Sequence, residues 1–278
     1  MFFEGIMKVL VTGGAGFIGK YLVEDLIEKN NLVTIFDDFS NSSKKSISYL
    51  VSMGTKVIEG DITNPSEIFN AVKDQDIVIH LAAKISVKES IKNPSETFHV
   101  NVDGTKNVLT ACFKNNIKNL IVASSASVYG ESQSSEIKLS EDTEKKPVSP
   151  YGESKMKMEQ EIKKFILKHK IKCTILRFFN IYGIGQSDEY AGVITKFLEN
   201  ISQDKPLVIY GNGEQTRDFV SIHDVVEAFY CATQSNKNGT YNIASGKSIS
   251  IKSLAKEISE ICNKKDKITF EKEKQGRY

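Results

Sequence analysis

The stretch KVLVT at residues 8–12, followed at once by GGAGFIG, constrains this chain more than any other feature. A nearly unbroken apolar run fits a strand buried on both faces, as strands of a parallel sheet are. Gly13, Gly16 and Gly19 then recur every third residue, ahead of a helical pattern from about residue 17 to 29. Glycine there lets the backbone turn tightly, approach a ligand closely and pack helix on strand. The amino end of the helix adds free N–H groups and a positive dipole end, a cradle for pyrophosphate. A glycine trio alone is weak evidence. Its place between a strand and a helix is what points to a dinucleotide.

The same rhythm continues downstream. Apolar, β-rich runs at 32–37, 56–61, 76–82, 119–125 and 172–180 alternate with helical patterns at 65–73, 94–115 and 150–169. Strands separated by helices imply an α/β fold, a Rossmann-type doubly wound parallel sheet. After Asn180 the rhythm breaks into helices near 192–202, 222–234 and 251–263, with short strands LVIYG, TYNIA and a last one near 267–271. The expected organisation is a dinucleotide-binding domain over 1–180 and a smaller α/β substrate lobe over 181–278, partly interleaved with it.

Composition mainly excludes. A net charge of +2, with lysines interleaved among acids, argues against a nucleic-acid surface. No apolar stretch approaches the ~20 residues of a membrane span. Cys112, Cys173, Cys231 and Cys262 lie far apart, in no metal-ligand spacing, so free thiols in a reducing cytoplasm are expected and no metal is.

Four positions carry chemistry. Asp37 ends the second strand, where a carboxylate can accept from both hydroxyls of an adenosine ribose and repel a 2′-phosphate. That favours NAD over NADP, although such a carboxylate can also simply cap the next segment. Asp61, at another strand end, is placed to reach the adenine amine. Ser125 lies in ASSASVYG at the carboxyl end of the fifth strand, where open parallel sheets bind ligands. Tyr151 and Lys155 in SPYGESK are four residues apart and share a helix face. An ammonium beside a phenol, and a cationic nicotinamide ring, both favour phenolate and lower a pKa that is ordinarily ~10. Tyr151 would then serve as a base. Taken alone, Tyr-x-x-x-Lys is mostly structural; behind a dinucleotide fingerprint and Ser125, an acid–base pair is the better reading.

These motifs together resemble the extended short-chain dehydrogenase/reductase family, in its NAD-dependent sugar-nucleotide epimerase/dehydratase branch. The likeness runs from Lys8 to about Phe270 through TGGAGFIG, DDFSNSS, GDITN, HLAA, NVDGT, SSASVYG, YGESK, RFFNIYG and GEQTRDFVSIHDV. It implies Tyr151 as base, Lys155 holding the nicotinamide ribose and Ser125 bonding the sugar O4. For the cofactor it implies Gly13, Gly16, Phe17, Ile18, Gly19, Asp37, Asn41, Ser42, Asp61, Ile62 and Leu81–Ala83, with Asn101 supporting the site. Asn180 and Arg217 match positions that grip the substrate's diphosphate, and Arg277 aligns insecurely with a second such arginine. A homodimer through the helices at 94–115 and 150–169 is also implied.

Dehydratases of this branch carry an acid pair directly after the site hydroxyl, and decarboxylases a glutamate at the second of those positions. Ala126 and Ser127 stand there instead, which leaves oxidation and re-reduction at one carbon. The resemblance therefore implies 4-epimerisation of a UDP-glucose/UDP-galactose type substrate, with N-acetylated or uronic sugars as alternatives. Rival readings are an NADPH-consuming reductase, which Asp37 opposes, and a non-catalytic NAD- or RNA-binding relative, which the intact trio of Ser125, Tyr151 and Lys155 opposes. Members of the family usually run several tens of residues past the position of Tyr278. A shortened chain or a natural short form is expected, lacking a segment that helps set tolerance for bulky sugars.

Overall fold

Short β-branched runs and well-capped helices alternate along the chain in the computed structural model, which describes residues 5–130, 138–186, 192–235, 237–263 and 268–272. The strands are β1 (Lys8–Thr12), β2 (Leu32–Asp37), β3 (Lys56–Glu59), β4 (Ile77–His80), β5 (Asn119–Ser125), β6 (Cys173–Phe178), β7 (Asn180–Tyr182), β8 (Leu207–Tyr210), β9 (Thr216–Ser221), β10 (Gly239–Ile243), β11 (Ser248–Ser250) and β12 (Ile268–Glu271). The helices are α1 (Phe17–Glu28), α2 (Ser48–Ser52), α3 (Pro65–Val72), α4 (Val87–Lys92), α5 (Pro94–Phe98), α6 (Thr105–Lys114), α7 (Pro150–His169), α8 (Val193–Ser202), α9 (Ile222–Gln234) and α10 (Ile251–Ile261).

Seven strands form one sheet in the order β10-β6-β5-β4-β1-β2-β3, with every pairing parallel. The order reverses between β1 and β4, and ligands of doubly wound sheets bind outside the strand ends at such a switch point. Leu22, Leu26, Val225 and Phe229 cover one face of the sheet from α1 and α9. Ile68, Val108, Leu109, Met158 and Ile162 cover the other from α3, α6 and α7. A third core, around Phe197, Ile209, Leu254 and Ile258, joins α8 and α10 to the parallel pair β12-β8. A three-stranded sheet, β11-β9-β7, stands beside the strand ends.

The Pro-led helices start where the sequence says. Asn64, Asn93 and Ser149 cap α3, α5 and α7, each with proline in the first turn. Two expected elements differ. The helix read over 94–115 is interrupted by a π-helical turn, His99–Gly104, between α5 and α6. Such wide turns cluster at functional sites, and this one holds Asn101 buried at 1% exposure. The run 172–180 is also two strands rather than one: β6 belongs to the large sheet, whereas β7 pairs with β9.

Candidate active site

Sterics at the switch point require glycine. Gly13 has φ +70°, and a Cβ on it would sit 2.7 Å from the backbone nitrogen of Ala82. A Cβ on Gly19 would lie 2.5 Å from the Gly13 carbonyl oxygen, so α1 packs on the turn without side chains between them. Gly16 caps α1 with no side-chain bond, and the first turn holds no acid. The positive helix end is thus left for an anion. Asp37 is 8% exposed; its Oδ2 accepts from the Ala15 N–H at 2.9 Å and its Oδ1 from the Phe39 N–H at 2.9 Å. Ser42 donates to the same Oδ1 at 3.3 Å. Burial pushes the Asp37 carboxyl above its usual range, and the two N–H groups pull it back. The carboxylate therefore locks the end of β2 to the glycine turn and also faces the crevice. Asp61 accepts from the Thr63 N–H at 2.8 Å and borders the same space.

A buried relay supports the next wall, Leu81–Ala83. The Ala82 N–H donates to Thr12 Oγ1 at 3.3 Å, and Thr12 lies 2.7 Å from His80 Nδ1. His80 Nε2 lies 3.0 Å from Thr105 Oγ1, which donates to the Asn101 carbonyl at 2.7 Å. Because Thr105 spends its proton on Asn101, His80 Nε2 must be the donor and Nδ1 the acceptor. Burial holds His80 at about 3, so the ring is neutral at physiological pH. Asn101 itself does not reach the crevice. Its Oδ1 accepts from the Lys84 N–H at 2.8 Å, and its Nδ2 donates to the Lys84 carbonyl and to Ser154 Oγ, both at 2.9 Å. Asn101 thus ties the Lys84 backbone to Ser154 on α7 rather than lining the crevice.

The acid–base pair sits on the first turns of α7. Ser149 Oγ accepts from the Gly152 N–H at 3.2 Å, and the Tyr151 N–H donates to Ser90 Oγ at 3.1 Å. A Cβ on Gly152 would lie 2.7 Å from the Ser127 carbonyl oxygen, so glycine lets this turn press against the 3-10 turn Ala126–Tyr129 that follows β5. That approach sets the Tyr151 phenol near enough to the Ser125 hydroxyl for the serine to favour phenolate. Lys155, 4% exposed, donates from Nζ to the Ala123 carbonyl at 3.1 Å. Burial lowers its pKa to about 8, opposed by the Glu159 carboxylate. Burial also raises the Tyr151 phenol above its ordinary value, with the Ser125 bond pulling the other way. Without bound cofactor, desolvation of the phenol outweighs the nearby lysine, whose Nζ is turned to the Ala123 carbonyl.

Every site residue read from the sequence lines one crevice of about 2210 Å³ except Asn101 and Arg277, the latter outside the described residues. Pockets for drug-sized ligands measure roughly 300–1,000 Å³, so this space exceeds what one such ligand needs. Asn180 donates to the Asp218 carbonyl at 2.9 Å, and exposed Arg217 donates to its neighbour's carbonyl, at Thr216, at 2.9 Å. The Arg217 guanidinium is otherwise available to a ligand. Sequence reasoning missed His80, Thr105, Ser154 and the buried pair Glu159–Arg177. A charged residue inside the apolar strand CTILRF was a readable signal for Arg177; the relay residues left none.

Residues 9–244 match the model of the NAD dependent epimerase/dehydratase family, and the chain belongs to that family. It is 36% identical over 272 residues to a putative UDP-glucose 4-epimerase of Methanocaldococcus jannaschii, covering 96% of this chain and 87% of the relative. It is 35% identical over 279 residues to a UDP-N-acetyl-alpha-D-glucosaminuronate decarboxylase of Bacillus cytotoxicus, covering 95% and 84%. Its fold superposes with TM-score 0.91 and 35% identity on a UDP-N-acetylglucosamine 4-epimerase from Methanobrevibacter ruminantium in complex with UDP-N-acetylmuramic acid, covering 99% and 88%. The family's cofactor is NAD, and the glycine turn, the free amino end of α1 and Asp37 fit it.

Proposed function

We propose that this protein is a nucleotide-sugar 4-epimerase acting on a UDP-sugar, with UDP-glucose/UDP-galactose as the default pair. The observation that carries the reading is the meeting of Ser125, Tyr151 and Lys155 at the strand ends, with Ala126 and Ser127 where a dehydratase needs acids. Bound NAD supplies the acceptor of the C4 hydride and a positive ring beside the phenol. Tyr151 takes the proton of the sugar 4-hydroxyl, and general bases of this kind contribute about 10²–10⁴-fold. Ser125 hydrogen-bonds the same oxygen and fixes its distance from the phenol. Lys155 orients the cofactor ribose, and its cation favours phenolate. Asn180 and Arg217 keep the diphosphate anchored while the sugar turns its other face toward the crevice floor, and Tyr151 returns the proton.

A uronic or N-acetylated sugar is the second reading. The uronic form is favoured by Lys84, a half-buried cation in the crevice wall with no ion-pair partner among the described residues, held by its backbone to Asn101. The names of the Bacillus and Methanobrevibacter relatives point the same way. Exposed Phe113 and Leu167, on the outer faces of α6 and α7, support a homodimer through these helices. Among the described residues no helix is long and apolar enough to cross a membrane, and the four free cysteines are compatible with a cytoplasmic enzyme. The test is incubation with UDP-, dTDP- and GDP-sugars without added cofactor, with products resolved by NMR. A C4 epimer from a UDP-sugar is expected; a dehydrated, decarboxylated or unchanged sugar across the panel would refute the assignment.

A further inference from the structure

Behind the acid–base pair lies a buried ion pair that the reaction as described does not use. Arg177 on β6 is fully buried and Glu159 on α7 is 1% exposed. Arg177 Nε donates to Glu159 Oε1 at 2.8 Å and Nη2 to Oε2 at 2.7 Å, a bidentate clasp. Ser124, next to Ser125, donates to Glu159 Oε1 at 2.7 Å. The remaining Arg177 nitrogen, Nη1, donates to Tyr129 Oη at 2.6 Å and to the Glu141 carbonyl at 3.1 Å. Tyr129 in turn donates to Asn242 Oδ1 at 2.6 Å, and Asn242 Nδ2 holds the Leu139 carbonyl at 3.1 Å. Asn242 and Leu139 both line the substrate crevice. Glu159 stands one helical turn after Lys155, on the same face of α7. One cluster thus touches the strand bearing Ser125, the helix bearing Tyr151 and Lys155, and the far wall of the crevice.

We infer that Glu159 and Arg177 are positioning residues that set the protonation of Lys155 and tie it to the substrate-side wall. A buried pair is costly compared with apolar packing, so its place beside the site lysine, at a junction of three site elements, calls for a role beyond stability. The geometry supplies one. Glu159 is the nearby anion that keeps a proton on Lys155, and Arg177 limits how strongly it does so. The other groups around Lys155 cannot substitute. From α7 there is the Tyr151 phenol, neutral when protonated; from β4 there is neutral His80; from β5 there are the Ser125 hydroxyl and the Ala123 carbonyl. Lys145, in the loop before α7, feels both members of the pair but is itself a cation, so it cannot hold a proton on Lys155. The inference rests on Lys155 as the site cation and not on the sugar that is turned over.

The test reads Lys155 directly, by NMR titration of labelled lysine side chains in NAD-loaded protein, with Lys155→Met to assign the signal. Two unit charges about one helical turn apart in a protein shift each other by roughly one to two pH units. Glu159→Gln should therefore lower the Lys155 titration by about that amount, and Arg177→Met should raise it. Structural damage alone would move both variants the same way. The double variant Glu159→Gln/Arg177→Met carries no buried charge and should return to within about half a unit of the parent; it keeps the test open should either single variant fail to fold. Tyr129→Phe removes the hydroxyl that links Arg177 Nη1 to Asn242 but leaves the bidentate Glu159–Arg177 clasp, and should raise KM for the UDP-sugar with the Lys155 titration unmoved. Equal titration in all variants, shifts of one sign in both single variants, or a displaced double variant would overturn the inference. Because no turnover is read in the titration, its failure is separable from failure of the epimerase assignment.

Discussion

Replacing Gly152 with alanine tests whether the approach of α7 to the turn after β5 builds the site. In the folded chain the new methyl would lie 2.7 Å from the Ser127 carbonyl oxygen and 3.0 Å from Pro147 Cβ. A carbon settles against a carbonyl oxygen at about 3.3–3.6 Å, so the first turn of α7 must retreat by roughly 0.6–0.9 Å. The obstructing atom is backbone, in a turn anchored by the Ser127 N–H donating to Ser125 Oγ at 3.1 Å, so it cannot swing aside as a side chain would. Stability should change little. Alanine's lower ordering cost, at most about 0.5–1 kcal/mol in this first turn, partly offsets an overpacking cost of roughly 1–3 kcal/mol. Catalysis should suffer far more, because Tyr151 is the adjacent residue and a misplacement near 1 Å costs ~10²-fold. We predict a fall in kcat of about ten- to a hundredfold with Tm lowered by only a few degrees and NAD retained. Thermal unfolding, bound-nucleotide analysis and epimerisation rates on one preparation decide it. Full activity in a folded Gly152→Ala protein would refute the claim that this contact positions the phenol.

Three further outcomes follow from the same geometry. Arg217→Ala should weaken UDP binding by roughly ten- to more than a hundredfold, the loss of a charge-assisted bond of ~1.5–3 kcal/mol, with NAD affinity unchanged; equal affinities by calorimetry would place the diphosphate clamp elsewhere. The buried Lys155, whose folded pKa is lowered to about 8, releases its proton at a lower pH than in the unfolded chain, so the ligand-free protein should gain stability from this group as pH rises from about 8 toward 10.5. Lys155→Met should flatten that rise, read as urea midpoints across the range. His80, held at about 3 in the folded state against 6.5 ordinarily, contributes stability that is lost as pH falls below about 6.5. His80→Gln should reduce that acid sensitivity, and an unchanged acid limb would show that the ring does not stay neutral in the fold.

Where local chemistry and tertiary role coincide, the sequence was legible. The strand, glycine turn and helix at 8–28 could be read because each glycine serves a local steric need that the structure shows at Gly13 and Gly19. Tyr151 and Lys155 could be read because helix spacing alone places them together, and Ser149–Pro150 announces where that helix starts. What depends on long-range approach could not. Strand β9 carries Arg217 and Asp218 and lacks the alternation of a half-buried strand, yet it pairs on both sides, with β7 and with β11. Helix α4 is six residues long, too short for a helical period to declare itself. The π-helical turn at Asn101 looks like ordinary helix in sequence, and its purpose is a set of bonds to Lys84 and Ser154, 17 and 53 residues away. The burial of the Tyr151 phenol, which raises its pKa before any cofactor binds, was not legible either, because spacing shows which charge is near and only the packed structure shows desolvation.

The most direct test of the central claim follows the hydrogen at C4. A UDP-sugar labelled with deuterium at C4 is incubated with the purified protein in ordinary water, with no cofactor added, and the product is examined by NMR. If Tyr151 handles only the hydroxyl proton and the C4 hydrogen never meets solvent, the product is the C4 epimer with its deuterium retained, and Tyr151→Phe loses most of the epimerisation while keeping its NAD. Loss of the label to water, inversion at another carbon, or undiminished turnover by Tyr151→Phe would contradict it.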